Sequence, residues 1–289
     1  MTTGPASPDD HGVDALLPAE IALKAEAVGV QKSKLDALTL TLLAVLAGAF
    51  IGLGAMFATT VLAGTDGVLP FGVARLLAGT MFCLGLILVI LGGAELFTGN
   101  ALIVMAWAAG KVRLRQMLRV WAIVYVGNFI GAIGTALLVF LSGQYLTGKG
   151  AVAEVVLSLA LAKTTLPFDQ ALFLGILCNV LVCLAVWLAL GARTTTDKVL
   201  AILFPVSAFV VAGFEHSVAN MYLVPLGLFA KAWGPAAMWA ELGADPSAYA
   251  ALTWPAFLWS LIPVTLGNII GGAVLVGGVY WFIYLRRRV

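Results

Sequence analysis

Charge is what this sequence lacks. Only 10% of its 289 residues are Asp, Glu, Lys or Arg, while 62% are hydrophobic and the mean hydropathy is +1.06. Soluble domains carry about 25% charged residues, so one soluble core is excluded and several membrane spans are implied. Histidine is nearly absent too, and of the two present only His216 lies in the apolar body. The three cysteines, Cys83, Cys178 and Cys183, all sit inside apolar runs. An odd set without loop partners excludes a disulfide framework, and a single membrane histidine excludes a metal site, so no cofactor is expected. The basic residues form short scattered clusters, which gives nucleic acid nothing to bind. Residues 1–34 are polar and mixed in charge, and the apolar run after them is too long for the roughly 7–15-residue core of a signal peptide.

What is present is a series of long apolar runs. A span needs about 20 mainly apolar residues. Six segments qualify, at 36–63, 72–110, 114–142, 168–190, 198–231 and 255–285. The second and fifth are too long for one straight helix, and each has a polar interruption, "GGAELFTGN" and "GFEHSVAN". Both are expected to be broken helices whose loop lies at membrane depth, buried in protein or lining a cavity. An amphipathic helix is expected over 16–34, either on the membrane surface or under a pore mouth. Placing the N-terminus in the cytoplasm puts 12 basic residues inside and 4 outside (Arg75, Lys149, Lys163 and Lys231). That arrangement obeys the positive-inside rule, with both termini cytoplasmic.

An internal repeat organises the chain. Glu95 precedes Asn100 by five positions, and Glu215 precedes Asn220 by the same five. Further on, Gly127-Asn128-Phe129-Ile130-Gly131 matches Gly267-Asn268-Ile269-Ile270-Gly271. These matches divide the body into halves at 36–143 and 166–285, with 1–35 before them, a loop at 144–165 between them and a basic tail at 286–289. Three spans per half require opposite insertion, hence a 3+3 inverted repeat with its substrate path between the halves. The expected fold is an all-α membrane protein of six transmembrane helices, two of them broken.

Ionisable residues inside a span mark a functional path by default. Glu95 and Glu215 are related by the repeat, so an architectural role is expected, each carboxylate accepting backbone N–H groups freed where its helix breaks, with Asn100, Asn220, Asn128 and Asn268 as further loop-structuring residues. His216 has no counterpart, because Leu96 stands opposite it. An imidazole that breaks the repeat and titrates near neutral pH is the candidate for chemistry. Thr98 offers a hydroxyl from the opposing loop, and Asn179 is a further polar residue in an apolar run. Lys163 is an isolated cation before the fourth span, and Phe82 and Phe209 stand near the loops as candidate dry constrictions. A distant alternative, an intramembrane hydrolase using His216 with Ser217, lacks the Gly-x-Ser-x-Gly elbow.

The stretches "AELFTGN" and "GFEHSVANMYLVP" resemble the two signatures of the formate–nitrite transporter family. The resemblance runs through the whole chain and is closest to the formate-channel branch in "LLPAEIALKAEAVGV", "PFGVARLLAGTMFCLGLIL", "LGILCNVLVCLAVW" and "LIPVTLGNIIGGAVLVGGVYWFIYLR". It implies an aquaporin-like protomer with its own pore, assembled as a homopentamer in a bacterial inner membrane. By that likeness Thr98, Asn179 and His216 form a central polar site, and Lys163 an electropositive vestibule. Phe82, Leu86 and Leu96 would then constrict the path on one side and Phe209 on the other, with Asn268 a further matched position. The implied substrates are monovalent anions such as formate, nitrite, lactate or hydrosulfide, often moved with protons, and the N-terminal helix is implied to gate with pH. Formate is the first expectation; nitrite and hydrosulfide are the alternatives.

Overall fold

The computed structural model describes residues 14–288; the rest of the expected 1–35 and 286–289 segments lies outside them. Among the described residues the chain is all-helical. Its α-helices are α1 (Pro18–Ser33), α2 (Ala37–Leu62), α3 (Phe71–Gly92), α4 (Val104–Ala108), α5 (Leu114–Leu141), α6 (Ala151–Thr164), α7 (Phe168–Gly191), α8 (Thr195–Val211), α9 (Ser217–Trp233), α10 (Ala236–Leu242), α11 (Trp254–Ile269) and α12 (Val279–Tyr284). A π-helical stretch, Ile270–Gly278, joins α11 to α12 without a break. Five helical segments are long and apolar enough to cross a membrane, while the expected fifth span is divided into α8 and α9. The helices bear exposed Leu, Phe and Val side chains on their outer faces, as a lipid-facing surface requires.

Both expected helix breaks are present, and each is made the same way. Gly93 and Gly213 stand two residues before Glu95 and Glu215, with φ of 77° and 73°. That left-handed conformation suits glycine and ends α3 and α8. The chain then runs through non-helical backbone to the 3₁₀ turn Gly99–Ile103 in one half and to α9 in the other. At the first break the Glu95 N–H donates to Leu43 O (3.1 Å), and at the second the Glu215 N–H donates to Leu174 O (3.3 Å).

The two asparagines of the repeated Gly-Asn motif hold these loops in place. Asn128 Nδ2 donates to Ala44 O and Glu95 O, and its Oδ1 accepts from the Phe97 N–H. Asn268 makes the corresponding bonds to Gly175 O, Glu215 O and the Ser217 N–H. Each buried amide therefore satisfies two backbone groups of the loop that the broken helix cannot, and ties them to a carbonyl of the neighbouring α2 or α7. The flanking glycines permit the approach: a Cβ on Gly131 would overlap Val45 O, and one on Gly271 would overlap Ile176 O.

One segment differs from expectation. The stretch 144–165, read as a loop, carries the 14-residue helix α6, which packs against α9 and buries Val152, Ala153, Val156, Leu157 and Ala160. Its apolar face is only four turns long, too short to register as a span. In the fold it occupies the position in the second half that α1 holds in the first. Lys32 and Lys163 are 131 residues apart, as are Ala44 and Gly175, so the correspondence reaches back through the helix before each half.

Candidate functional site

The two loop carboxylates are held by side chains. Glu95 Oε2 accepts from Lys32 Nζ (2.9 Å) and Asn100 Nδ2 (2.8 Å). In the other half Glu215 accepts from Lys163 Nζ (2.8 Å) and Asn220 Nδ2 (2.6 Å). The architectural role expected of Glu95, Glu215, Asn100 and Asn220 has this geometry, but the partners are Lys and Asn side chains rather than freed backbone N–H groups. Lys163, expected as an isolated vestibule cation, is thus paired. Lys32 went unrecognised in the sequence, although "KSKLD" and "KTTLP" share a Lys-x-x-Leu spacing ahead of each half's first span. Both pairs are largely buried, the Lys163 side chain more so than Lys32, at 14% and 26% exposed.

Two cavities enter the protein near these pairs. One, of about 330 Å³, is lined by α1 through Lys24 and Lys32, and by Leu86, Val89, Glu95, Leu96, Asn100 and Lys198. The other, of about 380 Å³, is lined by Arg75, Phe82, Lys163, Gln170, Phe209, Glu215 and His216. Cations outnumber carboxylates in both linings, which favours anions. At the first mouth, burial together with the neighbouring charges of Lys198 and Arg193 holds the Lys24 amine below its ordinary pKa. The α1 helix forms one wall of this cavity, so the alternative of a helix lying only on the membrane surface is set aside.

The constriction residues divide differently from expectation. Phe82 was expected with Leu86 and Leu96, opposite Phe209. Instead Phe82 and Phe209 meet edge to face, with ring centroids 5.5 Å apart, and both line the Lys163-side cavity. Leu86 and Leu96 line the Lys32-side cavity. All four are buried. The reason is register: α3 passes α8, so Phe82, ten residues before the end of α3 at Gly92, reaches the far side of the loops.

Thr98 and His216 are brought together in the buried interior. Thr98 Oγ1 lies 2.9 Å from His216 Nε2, while the Ala219 N–H donates to His216 Nδ1 at 3.1 Å. A backbone donor pointing into Nδ1 leaves the neutral ring with its proton on Nε2, so the imidazole donates to Thr98 and frees the hydroxyl proton for another acceptor. The imidazole also caps α9 and stacks on Phe209, with centroids 5.9 Å apart. Asn179 lies beside this pair in a bracing position: its Nδ2 donates to Thr98 O (3.2 Å) and Asn268 O (2.6 Å), tying the two halves together. Its buried Oδ1 meets no donor among the described residues. With both His216 nitrogens engaged, neither serves as base for Ser217, which is fully buried, so the hydrolase alternative has no geometry behind it.

Comparison with known proteins agrees with this architecture. The formate/nitrite transporter family model matches residues 19–282. The formate channel FocA of Escherichia coli strain K12 is 44% identical over 280 residues, covering 96% of this chain and 98% of its own. FocA of Haemophilus influenzae is 38% identical, covering 91% and 93% respectively. Among solved structures, a pentameric formate channel with formate bound superposes with a TM-score of 0.82 at 43% identity, covering 86% of this chain and 98% of the other.

Proposed function

Since this chain belongs to the formate/nitrite transporter family, we propose that it conducts formate across a bacterial inner membrane, one path per protomer, in a homopentamer. The observation that carries the reading is the buried Thr98–His216 pair between two cation-rich cavities. The distribution of basic residues supports assigning the Lys32-side cavity to the cytoplasm and the Lys163-side cavity to the outside, with opposed halves at 36–143 and 166–285.

In this mechanism the cations concentrate the anion in either cavity, and the Phe82–Phe209 and Leu86–Leu96 constrictions then exclude it while it is charged. A bare carboxylate pays several kcal/mol to leave water, whereas its neutral acid loses little. Between the constrictions the Thr98 hydroxyl, oriented by His216 Nε2–H, donates to a substrate oxygen. Because Nδ1 is committed to the Ala219 N–H, the neutral imidazole acts as a hydrogen-bond donor, and the proton that accompanies formate enters from cavity water. The flux is therefore proton-linked. Pairing of Lys32 with Glu95 ties α1 to the loop and gives the N-terminal helix a route to gate it.

The test is uptake of formate, nitrite, lactate and hydrosulfide into proteoliposomes at two pH values. Formate uptake that rises as the outside is acidified is expected. Selective uptake of nitrite or hydrosulfide without formate would reassign the substrate within the family.

A further inference from the structure

Arg75 is the cation of the Lys163-side cavity that no carboxylate holds at ion-pair distance among the described residues; its guanidinium lies over the Phe71 ring, 5.9 Å from the centroid. Lys163, the other cation there, is engaged by Glu215, whose second oxygen is taken by Asn220. Arg75 makes no salt bridge among the described residues. Its Nη2 donates to Val210 O (2.6 Å) near the C-terminal end of α8, which anchors the guanidinium, while its Nε–H is buried with no acceptor among the described residues. A guanidinium carries five N–H donors in a planar fork, so several remain for a ligand. The cations lining the Lys32-side cavity are all lysines, Lys24, Lys32 and Lys198. The fork therefore belongs to one side of the path, the side where His216 and the phenylalanine pair stand.

We propose that Arg75 docks the substrate in the Lys163-side cavity, and that its fork selects anions with two oxygens on one centre over single-centre anions. The inference rests on the transport reading above and adds where the anion is read. Lysine presents a point charge that attracts any anion alike, whereas a planar fork pairs best with a carboxylate or nitrite. A lysine at position 75 retains a cation and a donor for Val210 O, so Arg75→Lys separates anion selection from capping of α8.

The experiment measures initial rates of formate, nitrite and hydrosulfide uptake in proteoliposomes for the wild type, Arg75→Lys and Arg75→Gln. In Arg75→Lys the KM for formate is expected to rise about tenfold, as for loss of one charge-assisted hydrogen bond. Its KM for hydrosulfide, its maximal rates and its melting temperature are expected to stay near wild type. Arg75→Gln, which keeps an amide donor for Val210 O but no charge, is expected to raise KM for all three anions. A formate-to-hydrosulfide ratio in Arg75→Lys matching the wild type overturns the selection. Parallel loss of every flux and of thermal stability in both variants makes Arg75 a helix cap and overturns it as well. Failure of the wild type to take up formate overturns the substrate reading alone, and the nitrite-to-hydrosulfide ratio then decides the role of Arg75.

Discussion

At the residue scale the histidine and the asparagines play opposite parts. His216 breaks the repeat and is buried against Thr98, while Asn128 and Asn268 obey the repeat and hold the backbone. His216→Leu removes both the Nε2–H donor to Thr98 and the cap on the Ala219 N–H. Formate uptake in liposomes is expected to fall at least about tenfold, the worth of one buried hydrogen bond in a charge-transporting site. His216→Asn, which keeps a donor, is expected to retain more of the flux, and equal rates for the two variants would remove hydrogen bonding from the mechanism. Asn128→Ala leaves Phe97 N–H, Ala44 O and Glu95 O without their partner. It is expected to cost about 2–4 kcal/mol, read as a lowered melting temperature in detergent. The positions of His216 and the two asparagines stood out in the sequence because symmetry, kept or broken, is visible in one line of text. Asn179 was only half legible: its polarity in an apolar run is plain, but its two backbone acceptors come from Thr98 and Asn268, far away in the chain.

At the element scale the broken helices could be read from "GGAELFTGN" and "GFEHSVAN", whereas α6 and the pairing of α1 with the first loop could not. A 14-residue helix has no span-length signal, and a salt bridge across 63 residues shows locally only as the shared Lys-x-x-Leu spacing, which does not name the partner. The equivalence of Lys32–Glu95 and Lys163–Glu215 leads to a comparison. Lys163→Gln strands a nearly buried carboxylate and is expected to destabilise by about 3–5 kcal/mol. Lys32→Gln costs less, because Lys32 is more exposed. Adding Glu215→Gln to Lys163→Gln is expected to recover part of the loss in thermal denaturation, and strict additivity would deny the coupling. The start of α2 is pH-sensitive by a separate device. Asp36 accepts from the Thr39 N–H, and those hydrogen bonds hold its carboxyl below the usual pKa. Its contribution is present above the unfolded value and is lost as pH falls through the folded one, so α2 is expected to loosen below about pH 4. Asp36→Asn keeps an acceptor oxygen and removes that dependence, which hydrogen exchange at the first turn of α2 would show.

At the scale of the whole molecule, the proposed path runs through one chain. Lys32, Glu95, Thr98, Phe82, Phe209, His216 and Lys163, which line or adjoin the two cavities, all belong to one chain. In the proposed ring, assembly buries one apolar outer face of each copy against a different face of the next, the heterologous contact that closes a five-fold ring. Association is expected at about five times the 30.1 kDa of one chain, by analogy with the pentameric relative. The stronger consequence is functional independence. In rings assembled from mixed wild-type and His216→Leu subunits, formate flux per ring should fall in direct proportion to the fraction of variant subunits. Were neighbouring protomers to gate one another, one defective subunit would silence others, and flux would fall as a power of the wild-type fraction. Co-reconstitution at graded ratios, with flux normalised to total protein, distinguishes a straight line from that curve. A straight line is the expectation, because each buried Thr98–His216 pair is surrounded by its own chain.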